Sequence, residues 1–169
     1  LDIRFLDSEV AYNDVLQGRC ELALITLSPH HVEHLESVKV WQDDLIFVAA
    51  PEHPLSQKKH ISLQDLSEHP AVFPGSQTFT SKIALKLFAD AKLTPNISMH
   101  TNYMETIKMM VSIGLAWSVL PRTMLDEELV ELDMPHIQLS RDLGYIVHKE
   151  RTLSNAANAF MRLLSELSC

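Results

Sequence analysis

Three histidines, His30, His31 and His34, stand in the pattern H-H-x-x-H. Imidazoles at i and i+4 on a helix project from one face and can share a zinc ion. The catalytic form of that pattern needs a glutamate between them at a fixed offset. Here Glu33 sits at the wrong offset, beside Val32. Pro29 and polar neighbours read as a surface loop, so no metal site is assigned. The other histidines (53, 60, 69, 100, 136 and 148) are scattered. Each reads as a surface or hydrogen-bonded core residue. His100, near a strand end before Asn102, is the one best placed to meet a ligand.

The strongest binding signal is Gly75-Ser76-Gln77-Thr78-Phe79-Thr80-Ser81. It joins an expected strand to the start of an expected helix. Helix N-terminal amides and hydroxyls suit a carboxylate, sulfate or phosphate. Simple helix capping by Thr78 or Thr80 is the competing reading. Asn102 and Tyr103 occupy an equivalent turn, where Asn102 could equally be a plain N-cap. Thr26 and Ser28 follow another buried strand. All three turns lie at carboxyl ends of strands, where open α/β sheets bind ligands. The candidate ligand-binding residues are therefore Thr26, Ser28, Gly75, Thr78, Phe79, Asn102 and Tyr103.

Catalytic signatures are missing. G-x-S-x-G, the P-loop and G-x-G-x-x-G do not occur, and the chain has only 4 glycines. No nucleophile–base pair stands out, so neither an enzyme nor a cofactor is expected. The 2 cysteines, Cys20 and Cys169, follow no metal or redox spacing. Cys20 reads as a small packing residue in a reduced, cytoplasmic setting.

These residues must be positioned by regular elements. Ile3–Leu6 reads as a strand, and Ser8 as the cap of a helix over 9–17 with Val10, Val15 and Leu16 inward. Glu21–Ile25 has the continuous apolar run of a parallel strand buried on both faces. Val38–Trp41 and Leu45–Ala50 read as two strands separated by Asp43-Asp44. Ser62 and Asp65 form a capping-box pattern. A strand at Ala71–Phe73 precedes a helix over 79–91, with Ile83, Ala84, Leu87, Phe88 and Ala91 on one face. Ile97 and Met99 mark a strand; Met104, Ile107, Met110 and Val111 a helix; Leu115–Leu120 a buried strand. Short strands are expected near 129–132 and 136–139, and a further strand at Gly144–His148. Ser154 can cap a closing helix with Ala157, Phe160, Leu164 and Leu167 on its stripe. Strands alternating with helices argue α/β.

The 169 residues include 46% hydrophobic and 21% charged side chains, the balance of a chain with a real core. No apolar run approaches the length that spans a bilayer, so no membrane is expected. With 14 basic and 22 acidic residues the net charge is −8. That charge repels phosphate backbones, and no segment carries a basic stripe. The chain opens on Leu1 directly before a strand-like run, which reads as a fragment of a longer protein.

Several stretches in order resemble one family. Gly18-Arg19-Cys20-Glu21-Leu22-Ala23-Leu24-Ile25 is similar to the G-x-x-D-L-A-I segment of LysR-type transcriptional regulators. Trp41–Ala50 resembles their strand pair, and Pro51-Glu52-His53-Pro54-Leu55 their H-P-L segment. Val111–Pro121 resembles their V-x-x-G-x-G-x-x-x-L-P signature, with Ala116 in place of the second glycine.

The resemblance implies an effector-binding domain of the type 2 periplasmic-binding-protein fold, two Rossmann-like lobes joined by two crossover strands. Lobe I would be residues 1–50 plus 141–169, without the family's first strand and helix, and lobe II residues 51–140. The crossovers would lie near Ala49–Pro51 and Leu139–Leu143. A small effector would bind between the lobes, and Thr26, Thr78 and Asn102 match the family's pocket-lining turns. The resemblance also implies a homodimer or homotetramer. DNA would be bound only through an N-terminal helix-turn-helix domain outside this chain. A solute-binding protein of the same fold is the alternative.

Overall fold

The computed structural model describes residues 2–167. It is mixed α/β and divides into two compact units. Unit 1 comprises Leu1–Asp43 with Arg141–Cys169, and unit 2 comprises Asp44–Ser140.

Unit 1 begins with α1 (Ser8–Leu16), which precedes β1 (Leu22–Thr26). β2 (Leu35–Ala49) and β7 (Leu139–His148) each run through the unit boundary, and α5 (Asn155–Leu167) closes the chain. β1 pairs antiparallel with β7, Leu22 opposite Val147 and Thr26 opposite Leu143. β7 lies between β1 and β2. The two strands approach closely at Gly144, where any Cβ would fall inside the envelope of the Val38 carbonyl. Val40, Tyr145, Val147 and Leu164 form the core here, with Trp41 and Met161 packed against them. Arg151 donates to the Val15 and Leu16 carbonyls, both at 2.8 Å, and so satisfies the last turn of α1.

Unit 2 holds β3 (Pro70–Phe73), β4 (Asn96–His100), β5 (Ser118–Pro121) and β6 (Val130–Glu131). Its helices are α2 (Leu63–Ser67), α3 (Phe79–Asp90) and α4 (Met104–Ser112). β3 and β4 pair in parallel, while β5 and β6 pair antiparallel with β2. Trp117, fully buried, anchors the core. Its ring packs on Phe47, Phe73 and Phe88, and its Nε1 donates to the Leu66 and His69 carbonyls.

Several expectations need correcting. Ile3–Leu6 forms no strand; Ile3 and Phe5 are exposed, so no apolar face is being buried there. Asp7, not Ser8, occupies the N-cap position of α1, without a side-chain cap bond, and Val10 faces outward while Ala11, Tyr12 and Val15 face inward. β1 is antiparallel to β7, not parallel, and Leu24 is exposed, so the run is not buried throughout on both faces. The two strands expected around Asp43-Asp44 are one strand. Aspartate is disfavoured in strands, but here Arg141 pairs with Asp43 and Asp44 is exposed.

Ala91 lies past the end of α3 and is exposed, and Leu115 is exposed ahead of β5. Met99 is also exposed on β4. No separate strand forms at 136–139; β7 begins at Leu139. Phe160 is exposed on α5, where Ala157 and Leu164 are buried. The Leu167 side chain and Cys169 lie outside the described residues. The expected capping box is present, with Ser62 and Asp65 satisfying one another's backbone amides.

Candidate functional site

The sequence candidates fall into two groups, one in each unit. In unit 2, β3 and β4 run in parallel and end side by side, Phe73 opposite His100. The turns that follow are therefore neighbours. The Gly75 amide donates to Asn102 Oδ1 at 2.7 Å. That bond needs close approach: a Cβ on Gly75 would sit 3.2 Å from the same oxygen. Asn102 is consequently a cross-turn tie. Tyr103 occupies the cap position of α4 without a side-chain cap bond.

The Pro74–Gly75 turn is held from further directions. Ser81, buried in the first turn of α3, donates its hydroxyl to the Pro74 carbonyl at 2.8 Å. His100 Nδ1 lies 3.0 Å from that carbonyl, so this nitrogen carries the proton. Thr78 donates to the Gly75 carbonyl at 2.8 Å and caps α3 by accepting from the Ser81 amide. Thr78 thus does serve as a cap. The helix start at Phe79 and the turn before it form one braced segment. Tyr103 stands at its margin, 77% exposed. The amides and hydroxyls of Gly75, Thr78 and Ser81 are spent on bonds within the segment, which fixes its shape.

In unit 1, Thr26 ends β1 and is buried. Its amide donates to Ser8 Oγ at 3.1 Å, and the Ser28 amide donates to Tyr12 Oη at 2.9 Å. Ser28 Oγ accepts from the His30 amide. α1 therefore fixes this strand-end turn through two hydroxyls. Thr26 and Ser28 are brought together with each other, while the other five candidates gather in unit 2.

Sequence reading missed the positioning roles of Ser8 and Tyr12, and it named Ser81 only within the binding segment and His100 only as a ligand candidate. A hydroxyl three residues after Thr78 was the only local signal for Ser81. Those of Ser8 and Tyr12 act across 18 and 16 residues of chain and left none.

Of the remaining histidines, His34, His53, His69 and His148 make ring contacts with one another in pairs. His30, His31 and His34 lie in a loop, as expected. The His34 ring stacks on His148 with centroids 6.1 Å apart. Among the described residues no group of three or more metal-ligating side chains could hold an ion. His53 is buried, accepts from the Leu55 amide through Nδ1 and packs edge-on against His69. Burial first, then the neighbouring His69, hold its imidazole below the ordinary histidine value.

Two α/β units joined by two strands, with braced turns at strand carboxyl ends, define the type 2 periplasmic-binding-protein-like fold. Solved structures share it. A regulatory domain named CcmR from Synechocystis PCC6803, solved with 2-PG, superposes with a TM-score of 0.85. It is 19% identical and covers 99% of this chain and 82% of its own. The effector binding domain of QuiR, solved with shikimate, gives a TM-score of 0.83 at 19% identity, covering 96% of this chain and 78% of that one.

The LysR substrate binding domain profile matches residues 1–168, and the chain belongs to that family. The RuBisCO operon transcriptional regulator of Allochromatium vinosum is 29% identical over 172 residues, 98% of this chain and 56% of that protein. The chain spans about half the length of the curated relatives it matches.

Proposed function

We propose that this chain is the effector-sensing part of a LysR-type transcriptional regulator, and that its effector is a small anion. The family match along nearly the whole chain carries the reading. The curated relatives are transcriptional regulators, which favours a sensor over a solute-binding protein of the same fold. These two solved relatives hold 2-PG and shikimate, the latter a carboxylate, and the Gly75–Thr78 turn leads into the N-terminus of α3, whose dipole favours negative charge.

Residues 1–50 with 141–169 and residues 51–140 serve as regulatory lobes I and II. Thr26 and Ser28 in the first, and Gly75, Thr78, Phe79, Asn102 and Tyr103 in the second, are the contacts to test. DNA contact belongs to a part of the protein outside this chain, in the cytoplasm, and the working unit is a homodimer or homotetramer. The reading assigns the chain no turnover of its effector.

A thermal-shift screen against small carboxylates, amino acids, sulfate and phosphate tests it. A ligand at about 100 times its Kd should add about 2.7 kcal/mol. Thr78→Ala and Asn102→Ala should weaken a hit at least about tenfold, and Thr26→Ala tests unit 1 separately. Stabilisation that survives both unit 2 substitutions would reject that site. Consumption of the ligand would reject the sensor.

A further inference from the structure

Past the ends of β3 and β4 in unit 2, side chains take over the pairing of the two strands. The Thr101 amide donates to the Phe73 carbonyl at 3.0 Å, one more backbone rung. The residues on either side of Thr101 then reach a single peptide unit from opposite ends. His100 Nδ1 donates to the Pro74 carbonyl at 3.0 Å, and Asn102 Oδ1 accepts the Gly75 amide at 2.7 Å. That carbonyl and that amide belong to the same trans peptide, so they point in opposite directions. Ser81, from the first turn of α3, adds a second donor to the carbonyl at 2.8 Å.

A peptide plane turns about the two soft dihedrals that flank it. Glycine at 75 would ease such a turn, since it tolerates either sign of φ. Here turning the plane over would break the bonds to His100, Ser81 and Asn102 together. The next plane is held as well. The Gly75 carbonyl accepts from the Thr78 amide at 2.9 Å and from the Thr78 hydroxyl at 2.8 Å. The Ser76 amide lies at the far end of that second plane. Ser76 is exposed, and among the described residues its amide has no hydrogen-bond partner. The direction of this N–H is therefore set by the grip on its neighbours and not by a bond of its own.

We propose that His100, Ser81 and Asn102 are positioning residues of the effector turn. By gripping one peptide from both ends they fix the direction in which the Ser76 amide is offered to an anion. The inference rests on the reading of this turn as an anion site. Amide hydrogen exchange followed by NMR tests the grip with no effector present. In the unaltered chain the Gly75 amide should be protected at least about tenfold more than that of Ser76. His100 is exposed, so it can be replaced without emptying the core. His100→Leu, which removes the donor, should abolish most of that difference. His100→Asn should restore it, because its amide nitrogen stands as far along the side chain as Nδ1. His100→Gln, whose nitrogen lies one bond further out, should not. The Val72 amide, which donates to the Trp117 carbonyl in the core, should keep its protection in every variant.

Unchanged Gly75 protection in His100→Leu would overturn the positioning role. So would recovery in His100→Gln equal to that in His100→Asn, or loss of Val72 protection together with that of Gly75. A sulfate titration tests the anion reading separately. The Ser76 amide should shift saturably in the unaltered chain, with sulfate bound at least about threefold more weakly by His100→Leu. Equal sulfate affinity in the two chains would overturn the link from grip to binding. No shift at all, with Gly75 exchange behaving as stated, would remove the anion reading and leave the grip standing.

Discussion

His53 shows how a single side chain can couple this fold to pH. Its ring is buried and its Nδ1 accepts the Leu55 amide, an arrangement available only while that nitrogen is unprotonated. The folded state therefore binds the proton less readily than the unfolded chain. The stability tied to this group is complete above the unfolded value of about 6.5 and is lost as pH falls through it towards the lower folded value. Thermal unfolding should show a lower Tm at about pH 5.5 than at about pH 7.5, and His53→Gln should flatten that dependence. An equal pH dependence in the variant would assign the effect to other histidines. This role was not legible in the sequence, because H-P-L spacing says nothing about which ring loses its water. The strand-end turns were legible as candidates, since Gly75, Thr78 and Asn102 are residue types that suit strand-to-helix turns. That Asn102 ties two turns together was not, because the bond joins positions 27 residues apart.

At the scale of elements, the reciprocal cap of α2 is the clearest link from local sequence to local structure. Ser62 accepts the Asp65 amide at 3.1 Å, and Asp65 accepts the Ser62 amide at 2.9 Å. Lys58 adds an ion pair to the same carboxylate. With only one short turn of helix to support, the cap supplies much of what holds α2 in place under Trp117, whose indole donates to Leu66 in that helix. Ser62→Ala should cost about 1 kcal/mol, read as a lower urea midpoint at unchanged slope. No loss would mean that the Trp117 contact alone fixes the helix. The caps at Ser62 and Thr78 were readable because their signals lie within a few residues, whereas Ser8 and Asn102, read as possible caps, bond to other elements. Strand boundaries were less so: β2 continues through Asp43-Asp44 because its charge is answered by Arg141, 98 residues away. β1 looked parallel because its apolar run hides which partner covers it. Exposure of Val10 and Phe160 was equally hidden, since a helical stripe gives a direction of burial and not its extent.

For the molecule as a whole, charge bears on the proposed division between sensing and DNA contact. The net charge is −8, and many of its cations already face carboxylates: Arg19 with Asp14, Lys39 with Asp142, Lys108 with Asp126, Arg122 with Glu131 and Arg141 with Asp43. A cation already paired must give up its carboxylate before it can neutralise a phosphate, so it adds little to the counterion release that drives duplex binding. Lys82 and Lys86, one turn apart on α3, form a small basic patch on a chain of net charge −8. Among the described residues no helix is long and apolar enough to cross a membrane. Fluorescence anisotropy with a labelled duplex should therefore show no saturable binding by this chain at micromolar concentration, even at about 50 mM salt, where electrostatic contacts are strongest. Saturable binding whose logarithm falls linearly with that of salt concentration would reveal a phosphate-contacting surface on the chain itself. Loss of that binding in Lys82→Glu/Lys86→Glu would locate it on α3. In that outcome the sensing part would touch the promoter directly, and the division of labour proposed for the full protein would have to be redrawn.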